Sequence, residues 1–325
     1  MENSFGKVLR TTIYGASHAE AVGIIMDGIP AGITLHEELF AADIDRRRPA
    51  LRGETPRHEC DIPHIEGLDA EGRTTGDAIN IRFYNSNTRS TDYSHLEHQP
   101  RPSHADLVQR RKYGPTYNMS GGGMASGRMT VALVAAGVVA KQIVPEIEYH
   151  TSLIEVAGCS DPTLFEELIA IAAREGDSVG GIIECRATGI PVSLGEPFFD
   201  SAESVISHLL FSIPGVKGVE FGDGFAGCAK RGSERNDAII DASGTTKTNN
   251  EGGINGGITN GNDLVVRVAI KPTPSIAKAQ HTFNYKSGTV EPLVIGGRHD
   301  ACIARRAVVV VEAMVALALA DLKLR

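Results

Sequence analysis

Apolar positions along this chain fall into two kinds of pattern. Runs rich in β-branched and aromatic residues predict strands at Val8 to Tyr14, Ala21 to Asp27, Ala78 to Tyr84, Gly181 to Ala187 and Leu264 to Lys271. Spacings of three and four put Leu39, Phe40 and Ile44 on one face of a helix over His36 to Arg47, which stops before Pro49. Further helices are predicted at Met129 to Ile143, Pro162 to Glu175, Ala202 to Phe211 and Arg305 to Lys323. Strands and helices do not alternate strictly, so the pattern predicts an α+β fold with helices covering sheets. No Pro/Ser-rich linker or charge block divides the chain, and residues 1–325 are read as a single domain.

The apolar runs also bound the setting. A membrane span needs about 20 apolar residues. The best run, Ala307 to Ala320, is broken by Glu312, and Val131 to Ala140 ends at Lys141. The N-terminal stretch lacks the apolar core of a signal peptide. Five cysteines, widely spaced and without a CxxC pair, predict reduced thiols, no disulfide framework and no metal site. A cytoplasmic protein without a membrane partner is expected. The net charge of −8 argues against general nucleic-acid binding.

Composition adds one feature. There are 36 glycines, and 12 of them lie between Gly215 and Gly261. No three-residue period supports collagen, and neither a dinucleotide-binding turn nor a P-loop is present. The excess points to positive-φ backbone or close backbone approach.

Several clusters can carry chemistry. Arg46, Arg47 and Arg48 run together, with Arg52 and Arg57 following. Guanidinium forks pair with phosphate and carboxylate, and the ordinary alternative is a solvated helix end. His18 in YGASHAEAVG and His104 in RPSHADL are candidate acids or donors; satisfied surface histidines are the alternative. Arg101 precedes His104 and Asp106 follows it. SGGGMASGRMT opens a helix with free N–H groups suited to an anion, or is only a tight turn. KPTPS offers a cation and two hydroxyls. Asp300 in GRHDAC is either a base or a helix cap. Together these suggest a loop-built site for a multiply anionic small molecule.

Twelve segments, in order from Tyr14 to Val308, carry a resemblance. They include YGASHAEAVG, DIDRRRP, RPSHAD, SIPGVKGVEFGDGF, GGINGGITNG, AIKPTPSI and GRHDACIARRAV. The chain resembles the chorismate synthase family. The resemblance implies a β-α-β sandwich and a lyase that converts 5-enolpyruvylshikimate 3-phosphate to chorismate by 1,4-anti elimination of phosphate. It also implies reduced FMN as cofactor, an external flavin reductant and a homotetramer. By position, His18, His104 and Asp300 are implied as catalytic, and Arg47, Arg52, Arg101 and Arg128 as substrate-binding. Met124, Ala125, Ser126, Pro214, Gly215, Gly256, Lys271, Pro272, Thr273, Pro274, Ser275 and Arg298 are implied as FMN contacts. The chain departs from the usual motifs. Met124-Ala125 replaces Arg-Ser, leaving Arg128 or Arg52 to compensate, Ser103 replaces Gly, and Ala301 replaces Pro. A diverged lyase for another anionic enol, and a non-catalytic anion binder, are the alternatives.

Overall fold

A computed structural model describes residues 3–49, 54, 59–86, 96, 98–114, 117, 120–296 and 299–325. Strands β1 (Ser4–Phe5), β2 (Arg10–Gly15), β3 (Ala21–Asp27), β4 (His64–Glu66) and β5 (Ile79–Tyr84) form one antiparallel sheet, in the order β1-β2-β3-β5-β4. Helix α1 (Glu37–Arg47) lies between β3 and β4 in the chain, and α2 (Asp106–Tyr113) and α3 (Thr130–Ile143) follow the sheet. The second sheet begins with β6 (Glu148–Val156), followed after α4 (Phe165–Arg174) by β7 (Gly181–Thr188). Helix α5 (Ala202–Ser212) leads to β8 (Val216–Phe221), and two short turns follow, α6 (Gly224–Gly227) and α7 (Gly232–Arg235). A hairpin of β9 (Ile254–Asn255) and β10 (Ile258–Thr259) precedes β11 (Leu264–Ile270). The second sheet is antiparallel with the order β6-β7-β11-β8. A second hairpin, β12 (Gln280–Asn284) and β13 (Thr289–Leu293), leads to the long helix α8 (Ala304–Leu324).

Both sheets bury one face. In β3, Val22, Ile24 and Met26 are buried and stand opposite Phe83, Ile81 and Ile79 of β5. In β11, Leu264, Val266 and Val268 stand opposite Ala187, Cys185 and Ile183 of β7, all buried. The period of two therefore aims each apolar set inward. Helices fill the space between the sheets. α3 packs on β2, β3 and β5, α8 packs on β6 and β7, and α3 and α8 pack on each other. This is the expected β-α-β sandwich. The predicted strands and helices are all present, with ends shifted by a few residues. β1, β4, β6, β8, α2, the short α6 and α7 and both hairpins had no counterpart in the expected elements.

α8 is apolar on every side because it is buried on every side. Glu312 and Asp321 are buried within it, and each is matched by charge or N–H donors. Glu312 accepts from Arg46 Nη1 and Nη2 at 2.7 and 2.8 Å and from Lys141 Nζ at 2.6 Å. Asp321 accepts from the backbone N–H groups of Lys7, Val8 and Leu9, tying the start of the described chain to its last helix. Glu312 thus joins α1, α3 and α8 in the middle layer. Among the described residues, no helix is long and apolar enough to cross a membrane.

Burial works to raise the Glu312 carboxyl, but Arg46 and Lys141 outweigh it and hold the group below its usual range. Its stabilisation is complete above the unfolded value of about 4.3 and is lost as pH falls through the folded one. Glu312→Gln should cost about 1–3 kcal/mol at neutral pH. Urea unfolding near pH 7 and again at about pH 3.5 should show the gap from wild type narrowing in acid; an equal gap at both contradicts this assignment.

Candidate active site

One end of the helix layer opens into a cavity of about 690 Å³. The end of α1, the starts of α3 and α8, the α5–β8 turn and the segment after β11 all contribute to its wall. The N-terminal ends of α3 and α8 lack side-chain caps, and their dipoles favour an anion near them. Among the described residues, Arg47, Arg48, Arg101, Arg128, Arg306, Lys217 and Lys271 line the wall, against the carboxylates of Glu59, Asp61 and Asp300. In a chain with net charge −8, this is a local excess of positive charge.

The arginine run divides by direction. Arg46 turns into the helix layer and binds Glu312. Arg48 pairs with Asp45. Arg47 is only 4% exposed and lines the cavity. Its Nε donates to Thr130 Oγ1 at 3.0 Å, its Nη1 to Asp61 Oδ2 at 3.2 Å, and its Nη2 to the carbonyl of Gly127 at 3.2 Å. Burial, then the nearby Arg306, lower this guanidinium to about 9, and Asp61 acts against them. Arg47 stays charged at neutral pH but gains from any further anion. The alternative of a solvated helix end does not hold for it.

Arg128 is also buried. Nε donates to Asn85 Oδ1 at 2.8 Å, Nη1 bonds Asp61 Oδ1, and Nη2 has no hydrogen-bond partner among the described residues. Arg101, expected to bind substrate, lines the cavity and is also tied to two side chains. It grips Asp106 through Nε and Nη2, both at 2.7 Å, and donates from Nη1 to Ser275 Oγ at 2.9 Å. A guanidinium committed in this way positions its neighbours. Asp106 in turn lies 2.7 Å from His104 Nδ1. Burial works to raise the Asp106 carboxyl, but Arg101 and His104 outweigh it and hold the group far below the usual range. Fixing Nδ1 leaves Nε2 of His104 for the cavity.

Two backbone features set the histidines. Ser103 has φ +57°, where a side chain costs about 1–2 kcal/mol relative to glycine. This explains why glycine suits that position in the motif. The Ser103 carbonyl accepts from Lys271 Nζ at 2.7 Å. Gly121 and Gly122 have φ +62° and +91°. A Cβ on Gly121 would fall 2.2 Å from His18 Cε1, and one on Gly122 would stand 3.7 Å from His104 Cε1. One glycine loop thus touches both rings. His18 packs on Gly121 and is not itself among the residues lining the cavity.

Asp300 lies at the start of α8 without capping it. The N-cap is Ile303, and Asp300 pairs with Arg306 Nη1 at 3.0 Å. Arg306 Nε also donates to the Arg47 carbonyl at 3.0 Å, linking α8 to the end of α1. Met124, Ala125, Ser126, Pro214, Gly215 and Lys271 to Ser275 all line the cavity. Thr273 Oγ1 is buried and has no partner among the described residues. Gly256, expected as an FMN contact, lies elsewhere. It sits exposed at the β9–β10 turn with φ +61°, because a two-glycine hairpin needs that conformation, and it does not line this cavity. Arg52 and Arg298 lie outside the described residues.

Asp61, Arg306 and His299 also line the cavity and were not anticipated as site residues. His299 lies beside Asp300, and the Arg305-Arg306 pair opens a helix, so both carried a weak signal. Asp61, in ECDIPH, carried none. Among the described residues no His, Cys, Asp and Glu group could hold a metal ion.

Comparison with known proteins agrees with this architecture. Residues 9–324 match the chorismate synthase family. The chain is 55% identical over 323 residues to a chorismate synthase of Chitinophaga pinensis, covering 99% of this chain and 96% of that one. It is 42% identical over 347 residues to a chorismate synthase of Archaeoglobus fulgidus, covering 98% and 96%. A crystal structure of chorismate synthase superposes with a TM-score of 0.74 at 26% identity, covering 98% of this chain and 92% of the other. With cavity, fold and full-length similarity in agreement, the chain belongs to the chorismate synthase family.

Proposed function

We propose that this cavity carries out the family's lyase reaction with reduced FMN bound beside the substrate. That reaction eliminates phosphate from 5-enolpyruvylshikimate 3-phosphate to give chorismate. The observation that carries the reading is the set of buried guanidiniums around one cavity of an acidic chain. The substrate bears two carboxylates and a phosphate, and guanidinium forks match both.

The residues present fit a flavin. Met124, Ala125, Pro214, Ile213 and Pro272 offer an apolar wall for a flat ring. Lys271 and the Thr273 hydroxyl, unpartnered among the described residues, suit its phosphate. Burial and the neighbouring Lys217 lower the Lys271 ammonium, so an anion there is favoured. When bound, reduced FMN supplies electron density to the substrate without net redox change.

The chain's own groups then bind, orient and move protons. Arg47 and Arg128 hold the anionic groups. His104, oriented by Asp106, donates from Nε2, and Asp300 assists removal of the substrate proton. His18, against Gly121, gives a proton to the departing phosphate. The helix ends and apolar wall restrict water. Residues 1–325 act as one domain of a cytoplasmic homotetramer, and an external reductant keeps the flavin reduced. Exposed Phe198 and Phe199 support assembly.

The test is anaerobic incubation of the purified protein with the substrate and chemically reduced FMN. Chorismate should form; its absence while both ligands bind overturns the reading. His104→Ala should lower kcat by about 10²–10⁴, with Asp106→Asn acting in the same direction through the ring it orients. Near wild-type kcat in His104→Ala removes that histidine from the mechanism.

A further inference from the structure

Asp61 is 4% exposed and stands between two guanidiniums from different parts of the chain. Arg47 comes from the end of α1, and Arg128 from the turn before α3. One carboxylate oxygen bonds Arg47 Nη1 and the other bonds Arg128 Nη1. The Asp61 backbone is left-handed, with φ +47°. Asp tolerates this region better than most residues, but it is still an uncommon conformation. The carboxylate therefore reaches both cations from a kinked segment that has given up extended geometry.

Neither guanidinium is fully used. Arg47 spends Nε on Thr130 and Nη2 on the Gly127 and Arg128 carbonyls, and its Nη1 carries one N–H beyond the bond to Asp61. Arg128 keeps Nη2 unpartnered among the described residues, and both arginines line the cavity. Two like charges this close need an anion between them, and one carboxylate leaves charge for a second.

We propose that Asp61 is a positioning residue for substrate: its shared carboxylate sets the spacing of Arg47 and Arg128 so that both guanidiniums meet the anionic groups of one ligand. The inference rests on the lyase reading above. It deepens that reading by separating spacing from charge. If Asp61 were only a counter-charge, it would compete with the substrate, and removing it would tighten binding. If it sets spacing, removing it weakens binding although the cavity becomes more positive. The two roles predict opposite signs.

The experiment compares wild type with Asp61→Asn, after wild-type turnover has established the reaction itself. Asp61→Asn should raise KM for 5-enolpyruvylshikimate 3-phosphate by about 10-fold or more and lower kcat by less. Inorganic phosphate, a small round anion indifferent to spacing, should bind Asp61→Asn as well as wild type or better by calorimetric titration. A lower or unchanged KM overturns the proposal. So does a parallel loss of substrate and phosphate binding, which marks general disruption. Should Asp61→Asn fail to fold, Asp61→Glu keeps the charge and moves it by one methylene. KM should rise there too, and an unchanged KM again overturns the proposal.

Discussion

Guanidinium groups stay charged at neutral pH, and three of them, on Arg47, Arg101 and Arg128, are buried around one cavity. That constraint shapes everything near it. Two carboxylates, Asp61 and Asp106, are buried with them. Other N–H groups reach Thr130, Ser275, Asn85 and the Gly127 carbonyl, while Arg128 Nη2 has no partner among the described residues. Removing one partner from a buried pair typically costs about 3–5 kcal/mol. The segments carrying these partners must therefore meet at one point, and the two sheets with their helical filling hold them there. The same demand recurs inside the helix layer, where Arg46 and Lys141 answer Glu312.

The geometry around His104, His18 and Asp300 follows from this charge matching. Arg101 holds Asp106, and Asp106 lies against His104 Nδ1. Ser103 accepts a strained backbone to turn the chain between Arg101 and His104. On the opposite side, Gly121 leaves room for the His18 ring, which a single methyl group would displace. Asp300 is held by Arg306, which also grips the carbonyl of Arg47. Asp61 and Arg306 thus tie Arg47, Arg128 and Asp300 into one network, and Arg101, Asp106 and His104 form a second on the same cavity, so that within each a shift of one residue is felt by its neighbours.

Much of the fold was legible in the sequence because strong apolar periodicity survives in buried elements. β3, β5, β7, β11, α1, α3 and α8 each bury a clear face or, for α8, every face. β6 was harder because its sequence, EYHTSLIEV, mixes charged and polar residues into the alternation. β8 carries Gly218 and lies inside the glycine-rich tract. The site was legible as motifs rather than as geometry. Local patterns exposed the arginine run, both histidines, the glycine turn and Asp300. They could not show that Arg101 pairs with Asp106, since an arginine five residues before an acid looks the same whether it binds that acid or a ligand. Nor could they show Asp61, whose partners are 14 and 67 residues away. Gly256 shows the converse: a motif position carried over by resemblance lies at a hairpin tip, and hairpin geometry accounts for its glycine.

In the proposed reading, one cavity holds the three anionic groups of the substrate on Arg47 and Arg128 beside a flavin along the 124–126 and 271–275 segments. A crystal structure with oxidised FMN and 5-enolpyruvylshikimate 3-phosphate bound tests it directly. The account predicts an anionic oxygen of the substrate within hydrogen-bond distance of Arg128 Nη2, and the flavin phosphate near Lys271 and Thr273. Substrate bound elsewhere, or an Arg128 Nη2 still without an anion in the complex, would contradict it.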